Sequence, residues 1–243
     1  MFKVHDIFKS FQGEGIDIGM PMIFIRFAGC NLHCAWCDTT YASREGSKFK
    51  QIGLPEILEE VDKFSGVKGI TLTGGEPFVQ DMELIDALIY ELAGRGFFVN
   101  IETNGTIFPK LKVSSKLVDR FSISPKLQSS KNEYTVNLTV LEKYIKTYKH
   151  KMFLKFVISN QADYNELSSV LHRLEGLRGT EIPIVLQPNV NPTKAESIDN
   201  QIKAFKEVLK IVTKNNHTEL IRKFNIRIIP QFHKILWKNK KGV

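Results

Sequence analysis

Residues 22–37 read MIFIRFAGCNLHCAWC, an alternating apolar run that leads straight into a loop holding every cysteine the chain has. In a strand, successive side chains point to opposite faces, so Ile23, Ile25 and Phe27 share one side and Arg26 lies on the other. The loop spaces Cys30, Cys34 and Cys37 as C-x3-C-x2-C. In parallel α/β folds the loops after the carboxyl ends of strands carry ligands, so this junction is where a site is expected.

The same kind of run recurs as GITLT (69–73), FFVNIET (97–103), RFSIS (120–124), MFLKFVIS (152–159), IPIVLQ (182–187) and NIRII (225–229). Amphipathic helices separate most of them, one marked by Ile57, Leu58, Val61 and Phe64, another by Leu84, Ile85, Leu88, Ile89 and Leu92. Strands alternating with helices predict βαβ units and a parallel sheet of six or seven strands. Fully buried parallel strands are apolar on both faces; these carry Arg26, Thr71, Thr73, Asn100, Glu102, Ser122, Ser124, Lys155, Gln187 and Arg227. The expected architecture is therefore a partial (β/α)6-type barrel with parallel strands and a polar, open interior, formed by a single domain over residues 1–243. An ordinary doubly wound sheet with scattered polar residues is the alternative.

The composition fits one globular core: 243 residues, 42% apolar and 25% charged. No apolar run reaches the roughly 18 residues of a membrane helix, and the N-terminus lacks the apolar stretch of a signal peptide. A cytoplasmic protein with reduced thiols is expected. The net charge of +8 raises nucleic-acid binding. However, Lys203, Lys206, Lys210 and Lys214 recur at helical spacing opposite an expected buried stripe of Ile198, Ile202, Phe205, Leu209 and Val212. With no aromatic-basic motif beside the charge, neither a nucleic-acid nor a membrane partner is expected.

Three clustered thiols admit a few chemistries. A closed structural zinc site needs four ligands, and His33 could complete a Cys3His set. A [4Fe–4S] cluster bound by three cysteines leaves one iron without a protein ligand. An electron carrier would use a fourth cysteine; a catalytic cluster keeps that position for a substrate or cofactor.

The spacing, with Trp36 before the last cysteine, resembles the signature of the radical S-adenosylmethionine (SAM) superfamily. The resemblance implies that SAM chelates the open iron and is cleaved by electron transfer to give methionine and a 5′-deoxyadenosyl radical. It also implies a SAM site at Trp36, Cys37, Asp38, Gly75 of TGGEP (73–77), Glu102 of ETNG (102–105), Ser124, Pro125 and Lys126, and Gln187, Pro188, Asn189 and Val190. Adding IFKSFQGEG (7–15), CDTTY (37–41) and the terminal Q-x-H, the chain is similar to the 7-carboxy-7-deazaguanine synthase family from about residue 7 onward. That family converts 6-carboxy-5,6,7,8-tetrahydropterin to 7-carboxy-7-deazaguanine with loss of ammonia.

The likeness implies a pterin site at Phe11, Gln12, Gly13, Glu14, Arg26, Thr73 and His233, and a magnesium ion on Thr39. The residues alone would favour the neighbouring Asp38, because magnesium prefers carboxylate oxygen. A flavodoxin- or ferredoxin-type reductant and a homodimer are implied as partners. The chain continues past His233 to Val243, so no substrate contact is assigned to its terminal carboxylate. Two competing readings are a radical SAM activase that makes a glycyl radical on a partner protein, and a non-enzymatic metal-binding module.

Overall fold

The computed structural model describes residues 1–243 except 134–135, 191–196, 215–217, 239, 241 and 243; Val243 therefore lies outside the described residues. In chain order the strands are β1 (Phe2–Phe11), β2 (Pro21–Phe27), β3 (Lys50–Ile52), β4 (Gly69–Gly74), β5 (Phe98–Thr103), β6 (Arg120–Ile123), β7 (Met152–Ile158), β8 (Pro183–Pro188) and β9 (Asn225–Ile228). The helices are α1 (Thr40–Ser43), α2 (Leu54–Asp62), α3 (Met82–Gly94), α4 (Leu138–Tyr148), α5 (Gln161–Arg173), α6 (Ile198–Thr213), α7 (Thr218–Lys223) and α8 (Phe232–Trp237). Local chemistry starts several of them. The Asp81 carboxylate accepts from the Glu83 and Leu84 amides at the head of α3, and Asn137 and Asn160 cap α4 and α5.

All nine strands form one sheet in the order β3-β1-β2-β4-β5-β6-β7-β8-β9. From β2 to β9 the neighbours are parallel and follow chain order. A doubly wound sheet reverses direction at a switch point. This one never does, so its connections wind one way, as in a barrel. The sheet is not closed: β9 ends one edge, while β1 and β3 extend the other by antiparallel pairing.

All seven expected strands are present, with boundaries shifted by no more than one residue. β1 and β3 are additions. A bulge between Val4 and Asp6 breaks the period-2 pattern of β1, which hides it from a search for alternation. The link from β5 to β6 contains no helix. It is held instead by Asp86 of α3, whose carboxylate accepts from the backbone amides of Lys112, Val113 and Ser114 and from the Ser114 hydroxyl.

The core lies between the helices and the face of the sheet that carries Ile23, Ile25, Ile70, Leu72, Ile101, Ile123, Leu154, Phe156 and Leu186. On α6 the expected stripe is only partly inward. Gln201, Val208 and Val212 are buried, whereas Ile198 and Ile202 are 52% and 45% exposed. The helix is rotated so that the first half of its apolar stripe faces solvent.

The other face of the sheet is polar, and its lower layer is dry. Asn100 donates to the Thr71 hydroxyl at 3.3 Å, and Ser122 donates to Asn100 Oδ1 at 2.9 Å. Thr71 and Asn100 are fully buried. The β1–β2 hairpin loop enters from this same end, because Phe11 pairs with Pro21 at the start of β2. Asp17 of that loop is tied to Arg120, the first residue of β6, by two bonds of 2.9 and 3.2 Å. The loop is thus a plug in the floor of the barrel, with the cysteine loop at its opposite mouth. Arg227 departs from the expected pattern: it is exposed on β9 and does not line the cavity.

Candidate active site

Between plug and cysteine loop lies a cavity of about 470 Å³. Its lower wall comes from the plug. Gln12 Nε2 donates to Glu102 Oε1 at 2.9 Å, and Thr73 Oγ1 donates to Glu102 Oε2 at 2.6 Å. The plug residue Gln12 and Thr73 of β4 therefore fix the carboxylate of Glu102, on β5, from both sides.

Glu14 is fixed in the same way. One oxygen is ion-paired with Lys155 of β7, and the other accepts from Gln231 Nε2 at 2.7 Å. Burial pushes the Glu14 carboxyl up, but the Lys155 ammonium, then His233, and the hydrogen bonds outweigh it and hold the group well below the usual carboxylate range. The network continues to the cysteine loop. Lys234 donates to Gln231 Oε1 at 2.8 Å and sits 3.4 Å from Asp38 Oδ2.

The plug and the segment around α8 are mutually fitted. The Phe232 amide donates to the Gly13 carbonyl at 2.8 Å, and a Cβ on Gly13 would lie 2.6 Å from His233. Only glycine leaves room for the histidine ring there.

Arg26 reaches the cavity from β2 between two aromatic rings, its guanidinium carbon 5.3 Å from the centre of Phe8 and 5.8 Å from that of Tyr41. Nε lies 3.2 Å from Asp6 Oδ1, an ion pair without hydrogen-bond alignment. Burial raises the Asp6 carboxyl despite the nearby guanidinium.

At the mouth, the backbone stitches the cysteine loop down. Gly75 N donates to Phe27 O at 3.0 Å, Glu76 N to Gly29 O at 2.9 Å, and Ala35 N to Ser130 O at 2.8 Å. TGGEP owes its glycines to this packing. A Cβ on Gly74 (φ +130°) would meet Phe27 O at 2.2 Å, and one on Gly75 would meet Gly29 O at 1.8 Å. Glu76 is fully buried and binds the Thr103 hydroxyl at 2.8 Å and the Asn104 amide at 2.7 Å. Burial raises its carboxyl, and it acts as a tie between the loops after β4 and β5.

All three cysteines line the cavity as free thiols, with Cys34 buried. Burial pushes the Cys30 thiol up to about 11. The donor set of three thiols in one loop suits an iron–sulfur cluster with one iron left open. His33, the residue a zinc site would need, is exposed and does not line the cavity among the described residues. Two buried polar atoms of expected cofactor residues, Trp36 Nε1 and Gln187 Oε1, have no partner among the described residues. Buried orphans of this kind are expected where a ligand completes the hydrogen bonding.

The remaining expected residues sort by position. Ser124 and Lys126 line the cavity, joined at 2.8 Å, with the ammonium 5.5 Å from the Trp36 ring. Burial lowers the Lys126 pKa. Phe11, Asp38, Thr39 and Asn189 also line it. Pro125, Pro188 and Val190 do not; they are buried beside it. Glu14, Asp38 and His233 bring ligand atoms within 4.8 Å of one another. Lys155 and Lys234 already face the two carboxylates, so that trio is charge-balanced without a cation.

Sequence reading missed Tyr41 and Lys234, which also line the cavity. It placed Lys155 inside the barrel by period 2 but gave it no role, and it quoted Gln231 only as part of Q-x-H.

The Radical SAM superfamily profile matches residues 24–159. The 7-carboxy-7-deazaguanine synthase of Clostridium acetobutylicum is 35% identical over 100% of this chain and 99% of its own length. That of Aquifex aeolicus is 34% identical, over 96% and 93% of the two chains, and that of Bacillus subtilis 31%, over 96% and 95%. Among solved structures, QueE from Escherichia coli superposes with a TM-score of 0.67 at 24% identity, covering 96% of this chain and 94% of that one. This last likeness supports the open parallel-barrel fold.

Proposed function

The chain belongs to the 7-carboxy-7-deazaguanine synthase family of the radical SAM superfamily, and we propose that it catalyses that family's reaction on 6-carboxy-5,6,7,8-tetrahydropterin. The product is 7-carboxy-7-deazaguanine, ammonia is lost, and the enzyme serves queuosine or related deazapurine biosynthesis. One observation carries the assignment. Three thiols, with no fourth cysteine in the sequence, overlook a polar cavity whose wall holds an aromatic-clamped arginine and two fixed carboxylates.

Cys30, Cys34 and Cys37 would hold a [4Fe–4S] cluster, with SAM on the open iron. Together, when reduced, these groups would supply the radical chemistry that abstracts hydrogen at C6 of the pterin. The chain's own residues bind and orient. Arg26 meets the substrate carboxylate: its Nε faces Asp6, which leaves the two terminal nitrogens as a planar fork. The carboxylates of Glu14 and Glu102, held by Lys155, Gln231, Gln12 and Thr73, present acceptors to ligand N–H groups. A pterin edge and the amino group of SAM both carry such donors.

Lys126 and Ser124 supply a cation and a hydroxyl for the carboxylate of SAM, and Gln187 and Asn189 hydrogen bonds for its adenine end. Thr39 and the substrate oxygens are assigned to magnesium, which binds few protein ligands and keeps its waters. A flavodoxin- or ferredoxin-type reductant, a homodimer, a single domain and a cytoplasmic location complete the proposal.

Arg26→Ala tests the substrate assignment. Anaerobically reconstituted wild type and variant should both hold about four irons per chain. The variant's KM for carboxytetrahydropterin should rise about ten- to a hundredfold, the loss of one charged hydrogen-bonded contact of ~1.5–3 kcal/mol. Wild type that takes up one zinc in place of iron would contradict the family reading for this chain. Loss of iron in the variant alone would contradict the role given to Arg26.

A further inference from the structure

We infer that the side-chain amide of Asn132 tunes the reduction potential of the cluster by donating a hydrogen bond to the Cys34 ligand. The inference rests on the reading of the three cysteines as cluster ligands. Asn132 belongs to no motif and lies 98 residues from Cys34 in sequence. It follows a short turn at Gln128–Ser130, after which Lys131 adopts a left-handed backbone (φ 60°). A non-glycine residue rarely adopts that conformation; here it brings the next side chain over the cysteine loop.

Every polar atom of the Asn132 side chain is used. Oδ1 accepts from the His33 backbone N–H at 2.7 Å, while Nδ2 donates to Ser130 Oγ at 3.0 Å and to Cys34 Sγ at 3.2 Å. An amide fits a site of this shape in two orientations that exchange its oxygen and nitrogen. The His33 amide removes the choice, because an N–H must meet an oxygen. The NH2 group therefore faces the sulfur.

The three sulfurs are not equally served. Cys30 receives the Leu32 backbone amide at 3.4 Å and Asn104 Nδ2 at a long 3.9 Å. Cys37 lies 3.4 Å from the Ser43 hydroxyl and 3.6 Å from that of Thr39. Among the described residues, Asn132 is the shortest polar contact to any cysteine sulfur. Cys34 is also buried, 8% exposed, so little water competes for its sulfur.

Hydrogen bonds to the sulfurs are one of the levers that set the potential of an iron–sulfur cluster. Reduction adds negative charge, part of it on the sulfurs. A fixed N–H donor stabilises the reduced form more than the oxidised one and raises the potential. A loop-anchoring role alone would leave the potential where it is.

Asn132→Asp separates the two roles, since the isosteric side chain keeps an oxygen for His33 N–H and turns an acceptor towards Cys34. On reconstituted holoenzyme, an EPR-monitored redox titration should show a more negative potential. A tenfold change in the reduction equilibrium, ~59 mV for one electron, is the expected scale. Iron content should equal that of wild type, and Asn132→Ala should shift the same way by less. A wild-type potential in a fully loaded Asp variant overturns the inference.

Should neither variant load iron, Asn104→Asp enzyme, which lacks the other asparagine amide near a cysteine sulfur, is labelled with 15N in its asparagine side-chain amides and tests the same contact. The reduced cluster should show hyperfine coupling to 15N, and its absence overturns the inference. Wild type that assembles no cluster would end both this inference and the reading beneath it.

Discussion

Lys155 shows what a single side chain does in this site. It lies in the barrel wall, with its side chain 14% exposed, and faces a Glu14 carboxylate that is 15% exposed. Glu14 is depressed below its ordinary 4.5, so its contribution to stability is present above that value and is lost as pH falls through the folded-state pKa. In Lys155→Met the carboxylate loses its first electrostatic support, and burial, which raises the pKa, takes over. Removing one partner of a buried pair costs about 3–5 kcal/mol. The variant should therefore be destabilised by that order at pH 8 and should recover part of the deficit as pH approaches 5, where Glu14 can protonate. Urea denaturation at the two pH values checks this. A small deficit that does not change with pH would mean the pair is effectively solvated.

Two glycines make a contrasting pair among the elements. Gly75 follows β4, where a Cβ would collide with Gly29 O and come within 3.1 Å of Cys30 Cβ. Gly94, at the end of α3, has nothing within 4 Å of that position. Gly75→Ala should cost about 1–3 kcal/mol and lower iron incorporation, because the atom that must move belongs to the cysteine loop. Gly94→Ala should be neutral or stabilising by up to about 1 kcal/mol. Melting temperature and iron per chain report both effects. A Gly75→Ala protein that melts and loads iron like wild type would mean the loop has slack. This packing also marks a limit of sequence reading. The motif TGGEP is legible as a place of close approach to a ligand, and both glycines line the cavity; what the motif does not reveal is that Gly74 and Gly75 also make room for backbone of the chain itself.

Across the whole molecule, the parallel strands and polar lumen were legible because period 2 and the polar residues agree strand by strand, from Arg26 to Gln187. β1 escaped because its bulge breaks that period, and the outward turn of Ile198 and Ile202 escaped because amphipathicity gives a stripe but not what covers it. Within the site, the residues singled out in the sequence that line the cavity include Gln12, Glu14, Arg26, the three cysteines, Thr73, Glu102, Ser124 and Lys126. Pro125, Pro188 and Val190 are chain neighbours of lining residues and do not themselves line it. Lys234 and Asn132 were invisible because their roles depend on contacts spanning 196 and 98 residues, to Asp38 and Cys34. Spacing along a chain carries no signal of that range.

The plug, the clamped arginine and the cysteine loop converge on one cavity, and a single anaerobic reaction tests the substrate proposed for it. The protein is reconstituted with iron and sulfide, reduced, and given SAM, magnesium and 6-carboxy-5,6,7,8-tetrahydropterin, with mass spectrometry as the readout. The prediction is 7-carboxy-7-deazaguanine that appears only when SAM is present and is absent with Cys34→Ala. SAM cleavage without any deazaguanine would contradict the substrate assignment and favour an activase acting on a partner protein.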